Sequence, residues 1–288
     1  MHGMHARLPK NFVLEERLAT YADAIELEPW HYADRWAHAC WPLGLEDGAS
    51  FDEVRLDLGC GKGAFVCEAA TREPNVLFVA MDAEPLCVAY AAQHVMESGL
   101  ANVVIVPGKG SLVSRAFGAH ELGCIYLNFP TPYPRKKDAS KRLVILERLL
   151  EYRKVLAPGG TLRLRTDSQP LRDFALTQLA LAGYDVVWSS DDARRDHPHE
   201  PTSEYEQRLA AQGAKVLSVW ATPGEPPVDP EQTASLSLVD YFPEDLFENG
   251  YVPHGMGGAV INLRNRRRNS QTGSAQTKGQ SPNLGTVP

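Results

Sequence analysis

Apolar positions along this chain fall into short runs separated by longer amphipathic stretches. The runs at 54–58 (VRLDL), 76–81 (VLFVAM), 103–106 (VVIV), 124–128 (CIYLN), 161–165 (TLRLR), 184–188 (YDVVW) and 216–221 (VLSVWA) are strand-length and rich in β-branched residues. Between them the spacing predicts helices. Residues 84–98 form one, closed by Gly99 at the position where a left-handed backbone suits glycine. Residues 141–156 predict a second, stopped by Pro158-Gly159-Gly160, and residues 170–182 a third. Pro170 falls in its first turn, where a missing N–H leaves no helical bond unmade. Strand–helix alternation predicts a mostly parallel sheet with helices on both faces, a doubly wound α/β fold.

The flanks have a different texture. Residues 1–50 read as an N-terminal arm packing on the core, with a helical pattern over 8–50 that carries Trp30, Tyr32, Trp36 and Trp41. The alternation occupies 51–222. After Thr222, PGEPPVDPE has linker composition and opens an extension over 223–288. Within it, Leu236, Leu238, Tyr241, Phe242, Phe247, Val260 and Ile261 predict partial docking, and LRNRRRN at 263–269 is a basic run. The remainder is polar, so disorder is expected from about residue 269.

Bulk composition narrows the function classes. No apolar run is long enough to cross a membrane, and MHGMHARLPKNF lacks the core of a signal peptide, so a cytoplasmic protein without a membrane partner is expected. The five cysteines are odd in number and include no CxxC pair, which points to reduced thiols and to no metal site. The net charge of -7 argues against a nucleic-acid partner for the surface as a whole. Its local distribution decides the matter.

Candidate chemistry begins at VRLDLGCGKGAF (54–65), a strand that turns through Gly59, Gly61 and Gly63 into a helix. Alternating glycines let a backbone turn sharply and approach a ligand closely. Leu56 at the first glycine position and no Ser or Thr after Lys62 exclude an ATPase-type phosphate loop. A dinucleotide and S-adenosylmethionine both remain. Each needs an acid at the end of the second strand for ribose hydroxyls, and Asp82 stands there. Asp57, two residues before Gly59, completes an acidic GxGxG motif that resembles the first motif of class I S-adenosylmethionine-dependent methyltransferases. That resemblance implies a seven-stranded, Rossmann-like sheet with an antiparallel last strand, here 216–221. It also implies a cofactor held by Asp57, Gly59, Gly61, Gly63, Asp82, Ala83 and Asn128.

The loop after the fourth strand narrows the family. It reads Asn128-Phe129-Pro130-Thr131-Pro132-Tyr133-Pro134-Arg135-Lys136-Lys137, then Asp138-Ala139-Ser140-Lys141-Arg142-Leu143. Prolines stiffen it, Phe129 and Tyr133 can wall or stack a base, and the cations Arg135, Lys136, Lys137, Lys141 and Arg142 suit a phosphate backbone. With Thr166-Asp167-Ser168 and Ser203-Glu204-Tyr205-Glu206 in order behind it, this stretch resembles the bacterial tRNA (guanine-N7-)-methyltransferases over residues 50 to 221. The resemblance implies methylation of a variable-loop guanosine of tRNA by a monomer or homodimer. Asp167, Ser203 and Glu206 would surround the guanine. Thr131 stands where the family has an acceptor-loop Asp, Tyr133 where it has Trp, Asp138 where it has His, and Lys109 where an acid usually follows strand three. The Thr131 change leaves a different methyl acceptor, or non-catalytic RNA binding, as the alternatives.

Overall fold

The computed structural model describes residues 12–40, 44–45, 50–243, 252–253 and 255–265. Trp41, Phe247, the arginines at 266–268 and the disorder expected from about residue 269 lie outside the described residues.

The seven apolar runs form one sheet: β1 (Glu53–Leu58), β2 (Val76–Asp82), β3 (Val103–Pro107), β4 (Leu122–Asn128), β5 (Leu156–Thr166), β6 (Tyr184–Ser190) and β7 (Leu217–Pro223). Their order is β3-β2-β1-β4-β5-β7-β6. Pairs from β3 to β5 are parallel, and β7 runs antiparallel between β5 and β6. The fold is therefore a doubly wound, mostly parallel α/β sheet with an antiparallel last strand. Successive strand residues point to opposite faces. Leu77, Val79 and Met81 enter one core with Leu149, Phe174 and Leu179, from α4 (Leu146–Val155) and α5 (Gln169–Leu181). Phe78 and Ala80 enter the other with Val66 and Val88, from α2 (Ala64–Arg72) and α3 (Pro85–Glu97). The chain winds outward from β1 to β3 and then returns to place β4 on the other side of β1. That reversal opens the crevice at the carboxyl ends of β1 and β4, where such sheets bind ligands.

Three local expectations change. The helix expected over 141–156 begins at Leu146. Arg142 is pulled inward to loop carbonyls, and the Gln178 side chain accepts the Leu146 N–H at 2.9 Å and fixes the helix start there. Pro158-Gly159-Gly160 is not a stop between elements but a bulge within β5. The register with β4 jumps from Leu122↔Leu156 to Cys124↔Thr161, and a Cβ on Gly160 would meet the carbonyls of Ala157 and Leu122 at 2.9 Å. Among its described residues the N-terminal arm holds one short helix, α1 (Leu14–Thr20), then single 3-10 turns and a short antiparallel pair of Ala39–Cys40 with Gly44–Leu45. It covers the open edge of β3, where Ile25 bridges Ile105 and the Glu26 N–H donates to the Ile105 carbonyl at 2.8 Å. Covering an edge removes a template for unwanted strand pairing.

Trp36 anchors this arm. It is fully buried, stacks on Tyr32 at 4.8 Å and donates its indole N–H to the Ala116 carbonyl at 2.8 Å. The extension is anchored as well, with Leu238, Met256 and Val260 in the α4/α5 core. Among the described residues no helix is long and apolar enough to cross a membrane. Replacing Trp36→Ala should lower unfolding free energy by about 3–5 kcal/mol, from lost apolar burial and an orphaned carbonyl. Chemical denaturation checks this, and a loss below about 1 kcal/mol would show that the arm is not part of the cooperative core.

Candidate active site

The glycine turn after β1 is set by backbone geometry. Gly59, Gly61 and Gly63 have φ of 81°, 58° and 82°, a region costly for side chains. Space adds to the demand at Gly63, where a Cβ would stand 3.1 Å from Ala91. Asp82, at the end of β2, steadies the turn. Its Oδ2 accepts the Gly61 N–H at 2.8 Å, and its Oδ1 accepts the Glu84 N–H at 2.9 Å.

Asp57 and Asn128 lie next to the crevice without lining its cavity themselves. They sit on the neighbouring strands β1 and β4, one residue before Leu58 and Phe129, both of which line that cavity. Asp57 is 1% exposed, and its Oδ1 accepts from Asn128 Nδ2 at 3.3 Å. Asp57 Oδ2 and Asn128 Oδ1 are both buried, and neither has a hydrogen-bond partner among the described residues. Two adjacent acceptors left unmet inside a protein carry a desolvation cost and mark a place for donors. Burial pushes the Asp57 carboxyl up to about 7; the Asn128 hydrogen bond opposes this and the charge of Asp82 adds to it.

Beside this pair lies a cavity of about 600 Å³ between the glycine turn and the loop after β4. Gly59, Asp82 and Ala83 stand on one side, Phe129, Thr131 and Tyr133 on the other. Phe129 and Tyr133 have φ of 51° and 45°, unusual for residues with side chains. The fold holds that strain from two directions. The Phe129 N–H donates to the Arg165 carbonyl at 2.7 Å, and the ring meets Tyr205 edge-on at 5.2 Å. From below, Arg142 donates from Nε to the Pro132 carbonyl at 3.0 Å and from Nη2 to the Tyr133 carbonyl at 2.7 Å. Arg142 is 1% exposed, and burial lowers its pKa to about 10. The sequence reading gave it to RNA; the structure makes it the pin of the loop.

The other sequence-predicted residues divide. Arg135, Lys136, Lys137 and Lys141 are exposed at the loop exit, with Asp138 pairing Arg135 at 2.9 Å and Lys141 at 2.8 Å. Asp167 is half-buried at the end of β5, beside Tyr205, whose hydroxyl is raised first by burial and then by the Asp167 charge. Ser203 and Glu206 do not line the cavity. Ser203 caps α6 (Glu204–Ala211) by accepting the Glu206 N–H at 3.1 Å. The Glu206 carboxylate, 1% exposed, pairs with Arg165 Nη2 at 2.7 Å and so ties α6 to β5. In this structure its carboxylate is a buried brace between α6 and β5. Lys109 and Arg148 also line the cavity, where Asp82 is the one acid among the lining residues. Arg148 was missed because it lies on a helix face that pairs with Glu151, which reads in sequence as an ordinary i,i+3 ion pair.

Comparison with known proteins adds a family. A family described as "Putative methyltransferase" matches residues 52–219. A tRNA (guanine-N(7)-)-methyltransferase of Lactococcus lactis subsp. cremoris (strain MG1363) is 30% identical over 211 residues, covering 72% of this chain and 93% of that protein. A protein of the same name from Brevibacillus brevis is 30% identical over 171 residues, covering 59% and 80%. Among solved structures, the 16S rRNA methyltransferase KamB aligns with a TM-score of 0.47 at 18% identity, covering 61% of this chain and 89% of that one.

The Asp57 environment has a measurable consequence without any ligand. Its folded pKa of about 7 lies above the ordinary 3.8. Between those values the folded protein holds a proton that the unfolded chain has released, so stability falls as pH rises through that window and stays lower above it. Asp57→Asn should flatten the decline and exceed the natural protein at pH 8 by on the order of 2–4 kcal/mol. Denaturant midpoints from pH 4 to 8 test this; parallel curves for the two proteins would refute it.

Proposed function

Because this chain belongs to the tRNA (guanine-N(7)-)-methyltransferase family, we propose that it methylates N7 of a guanine in tRNA with S-adenosylmethionine as methyl donor. The observation that carries the reading is the pair of buried, unmet acceptors, Asp57 Oδ2 and Asn128 Oδ1. An α-ammonium group would supply the donors that this pair lacks, and an ionised Asp57 would meet its charge. Asp82 and Ala83 would take the ribose side, since a carboxylate at the end of the second strand accepts hydroxyls through lone pairs that its two N–H donors leave over. The residues present therefore fit the cofactor, which when bound supplies an electrophilic methyl group on its sulfonium.

The protein's own part is alignment and charge. Guanine N7 carries a free lone pair, so no side chain has to remove a proton first. Phe129 and Tyr133, held in strained backbone by Arg142 and Arg165, form a stiff wall against which a base can be oriented. Orientation of this kind lowers the barrier through entropy surrendered at binding rather than at reaction. Methyl transfer leaves positive charge on the guanine ring. Asp167, at the end of β5 beside the wall, is the carboxylate we assign to offset it. Thr131 contributes a hydroxyl where relatives of this sequence pattern have a carboxylate, which places more of that work on Asp167. The exposed cations Arg135, Lys136 and Lys137 hold the tRNA backbone. A tRNA substrate fits a cytoplasmic location.

Incubation with labelled S-adenosylmethionine and unmodified bulk tRNA, followed by nucleoside analysis, should yield N7-methylguanosine. Cofactor binding without that product would move the activity to another acceptor. Asp167→Ala should lower kcat about 100-fold while cofactor affinity stays within about twofold. Neutralising Arg135, Lys136 and Lys137 together should reduce the log–log salt dependence of tRNA affinity by about 2, and an unchanged slope would remove these residues from the RNA surface.

A further inference from the structure

The C-terminal extension meets the acceptor loop at two points and packs on the residue behind it at a third, all through residues beyond the matched span of 52–219. The Leu238 N–H donates to the Pro134 carbonyl at 3.1 Å. Gly255, with φ of 74°, passes so close that a Cβ would lie 3.1 Å from the Pro132 ring. Tyr241 stands edge-on to Phe174 at 5.8 Å, and Phe174 in turn carries the Arg142 guanidinium at 4.5 Å. Arg142 is the pin of the loop. The extension is thus fixed relative to the acceptor loop, with Leu238, Met256 and Val260 buried as its anchors.

Its outer face frames a cleft of about 410 Å³ separate from the cavity beside Asp57. Arg135 and Lys136 form one wall, and Asn262 and Leu263, from the helical residues 257–265, form the other. Arg135, Lys136 and Asn262 are exposed, as is Arg264 two residues further along. Asp240 also lines the cleft, where its carboxylate accepts from the Ser235 hydroxyl at 2.5 Å. In sequence, Arg266, Arg267 and Arg268 follow directly.

We infer that this cleft is a second RNA-binding element, in which the extension and the acceptor loop together grip the ribose-phosphate backbone of the substrate. The inference rests on the tRNA reading above. Its chemistry is that of backbone recognition: cations and an amide facing each other across a narrow gap, with no aromatic side chain among the described lining residues. The protein carries a net charge of -7, so Arg135 and Lys136 on one wall, with Arg264 just beyond the other, are a local departure that favours a polyanion here despite Asp240. The geometry is consistent with the reaction. Arg135 follows Tyr133 by two residues, so a nucleotide whose base lies against Tyr133 has its neighbouring phosphates at the loop exit. The extension supplies the wall that the family domain does not contain.

Two variants of the full chain test this with unmodified tRNA as probe. Asn262→Glu with Arg264→Glu alters exposed positions only. It should raise the Kd for tRNA about tenfold or more at low salt and reduce the log–log salt slope by about 1, with kcat at saturating tRNA unchanged. S-adenosylmethionine affinity and the thermal midpoint should also be unchanged. Asn262→Lys should tighten tRNA binding, which no loss of folding can mimic. Unaltered tRNA affinity and slope in both variants overturn the inference. If the double variant also loses cofactor affinity, the Asn262→Lys result decides alone. A natural protein that forms no N7-methylguanosine fails the functional reading itself; one that does, with variants indifferent to tRNA, fails only the role of the extension.

Discussion

The burial of one carboxylate governs the site. Asp57 lies at the point where the sheet reverses direction, beside Asn128 on the next strand, and water is excluded from it. An ionised carboxylate there is unfavourable, and burial pushes the group up to about 7. A cationic donor changes that balance. Site geometry follows from the same constraint. β1 and β4 must pair in register to bring Asp57 to Asn128, the glycine turn must leave β1 without a side chain in the way, and Phe129 must turn away immediately after Asn128.

The acceptor loop is the second consequence. It leaves β4 in a left-handed step at Phe129 and takes another at Tyr133. Backbone of that kind persists only when its surroundings over-determine it. Here the surroundings are Arg165, Tyr205 and Arg142, and behind Arg142 the ring of Phe174 and then Tyr241 from the extension. Arg165 serves twice, since its carbonyl accepts from Phe129 while its guanidinium pairs with Glu206. A single residue thus couples the loop to α6.

Much of this was legible in the sequence. Period and length of the apolar runs identified all seven strands, because buried strands leave a local signature. The glycine turn, Asp82 and the stiff aromatic loop were legible for the same reason: each depends on residues adjacent in the chain. What sequence could not supply was direction. Arg142 and Lys141 are neighbours in a basic run, yet one points into the core and the other to solvent. Glu206 stands in a recognisable motif, but its burial against Arg165, 41 residues away, cannot be read from neighbouring residues. The bulge at Pro158-Gly159-Gly160 read as a stop because proline and glycine break helices and strands alike. Only the register against β4 distinguishes a bulge from an end.

Proton linkage of cofactor binding tests the central claim most directly. Titration of the protein with S-adenosylmethionine at pH 6.5, in two buffers of different ionisation enthalpy, reports the protons exchanged on binding. Asp57 is mostly protonated at that pH before binding and must ionise to hold an ammonium group, so between about half and one proton should be released per cofactor bound. A binding heat independent of buffer would mean that Asp57 is not the group that receives the cofactor, and the account of the site would fail with it.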